Sequence, residues 1–370
     1  MPLEIKLIRD SEYTVVNDFF NNSRGINRPG GRKARKQSEF SWEFLEGPDR
    51  KVIYAGAWEV DEGKEPVLVG TQCAIIHKMI SSDGTWFLAA KGEDTLVGIN
   101  AIARYRNTDI LKELFAVLTE ACKKSGVEFL WGFNTIPATY KRIGFGKSFK
   151  TNYSVLVLNP VKAYKNILSN KPEISVSAKY KMAILAGMSS LYSFRRKLLP
   201  CRQMTYHINR ETGDNTGLFQ RAAAPGPLCF MLQDNAYFTW RIRNNPYPIQ
   251  YRSYQLLDRD NLLQGQVICS VAGNVASIEQ TLFDKELAGS VVNFFLGKVI
   301  SALKNEEICM IRYTGFQPNS LNAREMQLFK SMGFVFTGKG EWFTFKKLRD
   351  NTFFNPENIY LSRLYKQGID

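Results

Sequence analysis

Lys91-Gly92-Glu93-Asp94-Thr95-Leu96-Val97, followed by Arg104-Tyr105-Arg106, is the stretch on which the fold turns. It runs out of an apolar strand over residues 85–90 and leads into one long helix. That helix is expected over residues 109–124, where Ile110, Leu111, Leu114, Phe115, Leu118, Ala121 and Cys122 recur on one face. Gly126 stands where a helix C-terminal cap belongs. Beyond it, residues 127–131 read as a buried strand and 137–142 as a short helix. Ile143-Gly144-Phe145 and a pair of strands ending near Leu158 then close the unit. Upstream lie a strand at 3–8, a short amphipathic helix at 11–21 and two paired strands at 52–59 and 66–79. Asp61-Glu62-Gly63-Lys64 and Ser81-Ser82-Asp83-Gly84 supply the turns.

The later part of the chain repeats this plan. Phe40-Ser41-Trp42 returns as Phe238-Thr239-Trp240, an offset of 198 residues, and Ile143-Gly144-Phe145 returns as Met332-Gly333-Phe334, an offset of 189. A second long helix is expected over 288–304, with Val291, Val292, Phe295, Leu296, Val299, Ile300 and Leu303 on its buried face. A short helix over 322–330 precedes the second Gly-Phe. Matching order and spacing argue for internal duplication, with units at 1–158 and 203–370 joined by a connector at 159–202. The connector's helix, 179–199, carries Lys179, Lys181, Arg195, Arg196 and Lys197. It reads as a bridge with a buried apolar face, or as a segment lying on an anionic membrane surface.

At 370 residues the chain has room for two cores. Its 44% hydrophobic and 23% charged residues are those of a globular protein and exclude a disordered one. Forty-nine Lys+Arg against 35 Asp+Glu leave a formal charge of +14. That surplus suits nucleic acid, anionic lipid, acidic glycans or a phosphate-rich cosubstrate, and equally a basic surface kept for solubility. Six cysteines without a CxxC, beside only His77 and His207, argue against a metal site. They read as small buried apolar residues of a reducing compartment. The apolar run at 182–192 is about half of what a bilayer crossing needs. The opening Met1-Pro2-Leu3-Glu4-Ile5-Lys6 alternates like a strand, not a leader. A cytoplasmic protein without a membrane span is expected.

With Trp131-Gly132-Phe133-Asn134 and Tyr140-Lys141-Arg142-Ile143-Gly144-Phe145 added to the opening stretch, the first half resembles the GNAT acyltransferases. The pair of halves resembles tandem members of that family. The likeness implies an α/β fold of two tandem domains, each a mixed, mostly antiparallel sheet flanked by helices. It also implies transfer of an acetyl or other acyl group from acyl-CoA to an amine acceptor. In that family the pyrophosphate rests on backbone amides at the N-terminus of the long helix, after an Arg/Gln-x-x-Gly-x-Gly/Ala loop. The corresponding segment is Arg106-Asn107-Thr108-Asp109-Ile110-Leu111. Arg106 fits, whereas Asp109 and Leu111 replace small residues, and a carboxylate there competes with pyrophosphate. Asn107, Thr108 and Asp109 are equally apt as helix caps.

The resemblance therefore places acyl-CoA on Leu96, Val97, Arg104, Arg106, Asn107, Thr108, Asp109, Ile110 and Asn134. The last is set either on the pantetheine arm or in the turn before Pro137. Glu93, with Asp94 second, is the candidate base, only one of the two being expected to face the cleft because strand residues alternate. Both also read as solvent-facing turn residues. Tyr140 is the candidate acid for the leaving thiolate, or a packing residue under Phe145. Residues 24–36 carry six cationic side chains and no acidic one, which suits a phosphate-bearing acceptor such as a nucleotide-linked sugar, or a solvated loop. The second half lacks the Arg-x-x-Gly-x-Gly loop and reads as a wall of the cleft. Its 237–243 segment, with Trp240, is assigned to the acceptor site or to the core.

By analogy with tandem members, the acceptor is a small amine, for instance an amino sugar of a surface polysaccharide. Two alternatives stand beside it. A tRNA-dependent aminoacyl transferase of the peptidoglycan type suits the charge, and a non-catalytic GNAT-fold binding protein suits the altered loop.

Overall fold

The structure, a computed structural model, describes residues 2–23, 34–48, 51–170, 187, 207–210, 213–223, 228–316, 320–336, 338, 340–350 and 355–365. Apart from residue 187, the expected connector helix at 179–199 lies outside them, as does most of the basic loop. The strands are β1 (Leu3–Leu7), β2 (Val52–Glu59), β3 (Val67–Ser81), β4 (Trp86–Val97), β5 (Val127–Asn134), β6 (Gly146–Lys150) and β7 (Asn152–Val157). In the later half they are β8 (His207–Asn209), β9 (Cys229–Met231), β10 (Gln250–Leu257), β11 (Leu263–Ala272), β12 (Val275–Phe283), β13 (Met310–Gly315), β14 (Val335–Phe336) and β15 (Trp342–Lys347). The α-helices of the first half are α1 (Tyr13–Asn22), α2 (Gln37–Phe40), α3 (Ile99–Arg104), α4 (Ile110–Lys124), α5 (Pro137–Arg142) and α6 (Pro160–Asn170). Those of the second are α7 (Thr216–Ala223), α8 (Asn235–Phe238), α9 (Gly289–Asn305) and α10 (Ser320–Ser331).

Two mixed sheets result. The first runs β1-β2-β3-β4-β5-β15-β6, with β9 added beside β3, and the second runs β14-β7-β13-β12-β11-β10-β8. Among the described strands, β4/β5 and β12/β13 pair in parallel and the other ladders are antiparallel. Each long helix lies on one face of its sheet, as its apolar stripe requires. Leu114, Phe115 and Leu118 of α4 pack on a floor of Ala55, Ala57, Ala74 and Ala90, whose small side chains let the helix sit close. Phe295, Leu296 and Val299 of α9 pack on Leu256, Val267 and Ile278. Gly126 (φ +82°) ends α4 as expected. Five cysteines, Cys73, Cys122, Cys229, Cys269 and Cys309, are buried free thiols.

The expected terminal strand pairs do not form. β6 and β7 are not partners: β6 pairs with β15 in the first sheet, and β7 lies between β13 and β14 in the second. Each half thus gives its last strand position to the other. The two chains cross where Thr151 N–H donates to Glu341 O at 2.8 Å and Glu341 N–H donates to Thr151 Oγ1 at 2.8 Å. The crossing explains Gly340, because a Cβ there would stand 1.6 Å from the Thr151 carbonyl oxygen. Lys150-Thr151-Asn152 holds no glycine to reverse the chain tightly, so β7 continues onward to the second sheet.

Between the sheets lies a third, aromatic-rich core. It contains Phe129, Trp131 and Phe343 from the first sheet, Ile268 and Leu282 from the second, and Ile359, Tyr360 and Leu364 near the end of the chain. At its centre the two repeated Phe-Ser/Thr-Trp motifs meet each other. Trp42 and Trp240 stack with ring centroids 5.4 Å apart. Each indole N–H donates to the other's backbone carbonyl at 2.8 Å, a reciprocal pair about a local pseudo-twofold axis. Of the two readings for Trp240, the core is the one that the structure bears out.

Candidate functional site

β4 and β5 run parallel from the Leu88/Val127 pair to the Lys91/Trp131 pair and then part. The gap opens at Gly92 and Gly132, where a Cβ on Gly132 would meet the Gly92 carbonyl oxygen at 3.3 Å. A bulge begins at once. Thr71 pairs with Leu96 and Cys73 with Glu93, so Asp94 and Thr95 together oppose Gln72. Asp94 accordingly takes φ +52°, in the left-handed region.

That bulge corrects the expected alternation. Tyr54 pairs with Cys73 and Cys73 with Glu93, which sets Tyr54 and Glu93 on one face, and the Tyr54 hydroxyl donates to Asp94 at 3.1 Å. Both carboxylates therefore face the same side. They have different partners. Asp94 is held by Arg35 at 3.2 Å, and Arg35 also pairs with Glu43 at 3.5 Å. The Arg35 guanidinium lies over Phe20, Phe40 and Phe44. Glu93 is half-buried and pairs with Lys91, a fully buried lysine whose ammonium lies over Trp131. Glu43 accepts a hydrogen bond from Tyr247 of the second half, and burial raises its pKa. Neither Glu93 nor Asp94 is an open turn residue.

Across the gap, the Tyr140 hydroxyl lies 3.2 Å from Thr95 Oγ1, which also bonds to Gln72. Tyr140 packs edge-on against Phe115 and Phe145, so the packing role and the access to β4 coexist. Burial raises its pKa, and the nearby charge of Glu93 raises it further, so the phenol stays protonated. Asn134 is buried at the end of β5 and its amide donates to Thr344 Oγ1 of β15 at 2.7 Å. Its carbonyl oxygen is buried with no partner.

Leu96 and Val97 are half-buried at the end of β4. Arg104 pairs with Glu59 at 2.5 Å. Arg106, Asn107 and Thr108 are exposed on the approach to α4, and Ile110 is buried beneath it. Asp109 is the cap of that helix: its carboxylate accepts from Lys112 N–H at 3.2 Å and pairs with Arg142 of α5 at 3.2 Å. Among the described residues of the basic loop, Arg35 is committed inward while Lys36 is exposed. The sequence reading did not single out Lys91, Arg35, Glu43 or Tyr247. A lysine directly after Ala89-Ala90 in an apolar strand was the one available signal.

Among the described residues no group of three or more His, Cys, Asp or Glu is placed to hold a metal ion. No described helix is long and apolar enough to cross a membrane.

This architecture is the tandem GNAT fold: two mixed sheets, each splayed beside a long helix. The likeness extends over most of the chain in solved structures. A probable N-acyltransferase from Enterococcus faecalis V583 superposes with a TM-score of 0.61 at 11% identity, over 94% of this chain and 73% of that one. A tandem GNAT protein from the clavulanic acid biosynthesis pathway gives 0.53 at 12%, over 95% and 100%. Saccharomyces cerevisiae N-myristoyltransferase with bound myristoyl-CoA gives 0.54 at 13%, over 93% and 83%. No family model and no curated protein sequence matches the chain.

Proposed function

We propose that the protein is an N-acyltransferase that moves an acyl group from acyl-CoA to a small primary amine at the β4/β5 gap of its first half. What carries this assignment is the Thr95–Tyr140 hydroxyl pair across the gap, with Glu93 two residues before Thr95 on the same strand. The unpartnered Asn134 carbonyl oxygen supports a pantetheine-bearing cosubstrate, whose amides would supply the missing donor. The thioester supplies an activated acyl group. Glu93, held by Lys91, takes the proton from the acceptor ammonium, and Tyr140 gives its proton to the leaving sulfur. Asp94 serves as a positioning residue that fixes the bulge through Arg35 and Tyr54. Arg106, with Asn107 and Thr108, would meet the pyrophosphate at the start of α4, flanked by Arg104, while Leu96 and Val97 line the approach and Ile110 anchors the helix start in the core.

Acetyl-CoA is the first cosubstrate to test, and amino sugars, free or nucleotide-linked, are the first acceptors. Calorimetry should show acetyl-CoA binding that Arg106→Ala weakens and Asp109→Gly strengthens, because the glycine removes a competing carboxylate and costs only a few tenths of a kcal/mol as a cap. Tyr140→Phe should lower kcat by about 10²-fold with little change in KM. No heat from acetyl-CoA at about 1 mM would exclude the assignment. The Asp109–Arg142 pair favours one second reading, a GNAT-fold binding protein without catalysis, and that same titration decides between them.

A further inference from the structure

The second half contains a cavity of about 270 Å³ between β12, the first turn of α9 and one side of α10. That is room for about nine waters, or a ligand of amino-acid size. Phe283, Val292 and Leu328 form its apolar wall, and two neighbouring residues of α10 give it opposite charges. Arg324 is at the exposed side, where its guanidinium donates to Leu287 O at 3.4 Å, next to the start of α9. That helix is capped by Ala288, which offers no side-chain acceptor, and Gly289 follows it as part of the cavity lining. Glu325 is at the closed side, only 9% exposed, bonded to the Thr281 hydroxyl and to Asn322 Nδ2 at 3.3 Å.

We propose that this cavity binds a small primary amine that also carries an anionic group, with the ammonium at Glu325 and the anion at Arg324. The chemistry at each end is specific. A carboxylate buried against apolar walls is stabilised by an entering ammonium far more than by water it cannot reach. An anion at the open end meets a guanidinium and the positive end of α9 together. The cavity does not repeat the first-half site. Tyr140 stands four residues before Gly144, and the residue four before Gly333 is Phe329, so no tyrosine stands at the equivalent place, and the Tyr360 hydroxyl at the cavity donates to the Thr281 carbonyl oxygen at 2.7 Å. The site is therefore one of binding, and it stands whether or not the first half transfers an acyl group.

Binding should depend on pH in one direction. The groups around Glu325 are Thr281 from β12, Tyr313 from β13, Tyr360 from the C-terminal segment and Arg324 and Asn322 from α10. Desolvation raises the Glu325 pKa to about 7 despite hydrogen bonds that lower it. An ammonium ligand selects the ionised form, so affinity rises as pH rises through 7.

The test uses the full chain and 6-aminohexanoate, with hexanoate and hexylamine as controls that keep one charge each. Calorimetry should find 6-aminohexanoate at least tenfold tighter than either control, and about tenfold tighter at pH 8 than at pH 6. Glu325→Gln, checked for a normal melting curve, should abolish the pH dependence and the preference over hexanoate. Arg324→Ala, at an exposed position, should erase the preference over hexylamine. Arg106→Ala should change none of these values, which separates this site from the acyl-CoA site. Equal binding of all three compounds, or no heat from 6-aminohexanoate at about 10 mM, overturns the proposal.

Discussion

The two halves share a scaffold and differ where it meets ligands. In each, a bulge on the central strand carries a buried acid held by an arginine at 3.2 Å: Asp94 by Arg35 in the first half, Glu279 by Arg363 in the second. In each, a long helix covers one face of the sheet. The helix starts have diverged, with a carboxylate cap at Asp109 and an apolar one at Ala288. So have the residues near the short helices, where Tyr140 in one half answers to Phe329 in the other, and Glu325 has become the buried acid of a cavity. Duplication conserved the device that opens the strands and left the groups around the opening free to change.

The largest effect should come from breaking the exchange that joins the halves. Gly340→Ala places a methyl inside the Thr151 carbonyl, and a loss of about 5 kcal/mol or more is expected in urea unfolding. Gly213→Ala, with nothing within 4 Å, is the matched control and should be near neutral.

Next comes the reciprocal tryptophan pair. Trp42→Ala and Trp240→Ala should each cost about 3–5 kcal/mol, and the double variant clearly less than their sum, since either change alone removes the ring stack that the two share, together with its own indole hydrogen bond. Additive losses would mean that the halves do not depend on this contact.

The smallest effect contrasts the halves by pH. His77 of β3 is buried with Nε2 unpartnered, and burial, with the charges of Lys91 and Arg241, lowers its pKa to about 3. The unfolded chain takes up a proton below about pH 6.5 that the folded chain refuses, so this contribution shrinks as pH falls from 6.5 towards 3. It should amount to about 2 kcal/mol between pH 6.5 and 5. Glu325 has the opposite sign: its folded pKa lies above the unfolded one, so its contribution is full below about pH 4.5 and lost as pH rises through 7. His77→Leu should flatten the acid side of the stability profile and Glu325→Gln the neutral side. Identical profiles for wild type and both variants would refute this.

Much of the architecture was legible because periodicity reports burial locally. The strand at 52–59 and the helix at 137–142 lie within the bounds expected for them, and Gly126 ends α4 where the pattern placed it. The exchange of β7 and β15 was not legible, because a strand that suits one GNAT-like sheet suits its duplicate equally well. Only Gly340, forced by a backbone crossing, marks it. At the candidate site, Glu93, Asp94, Thr95 and Tyr140 all stood in the quoted motifs. The bulge that turns Asp94 to the side of Glu93 has no sequence signature, since Asp in the left-handed region is indistinguishable from Asp in a strand. Arg35 was one of six cations in a loop, and nothing local says which of them is buried.

The strand exchange also sets a timetable. A ribosome delivers the chain from its N-terminus, and β15, which fills the first sheet between β5 and β6, cannot be there until residue 342 has been made. Through most of translation the first sheet therefore carries two exposed edges, just beside the strand that holds Trp131 and Asn134. Each half alone lacks a strand of its own sheet, and a gene fragment encoding one of them would have to borrow that strand from a second copy.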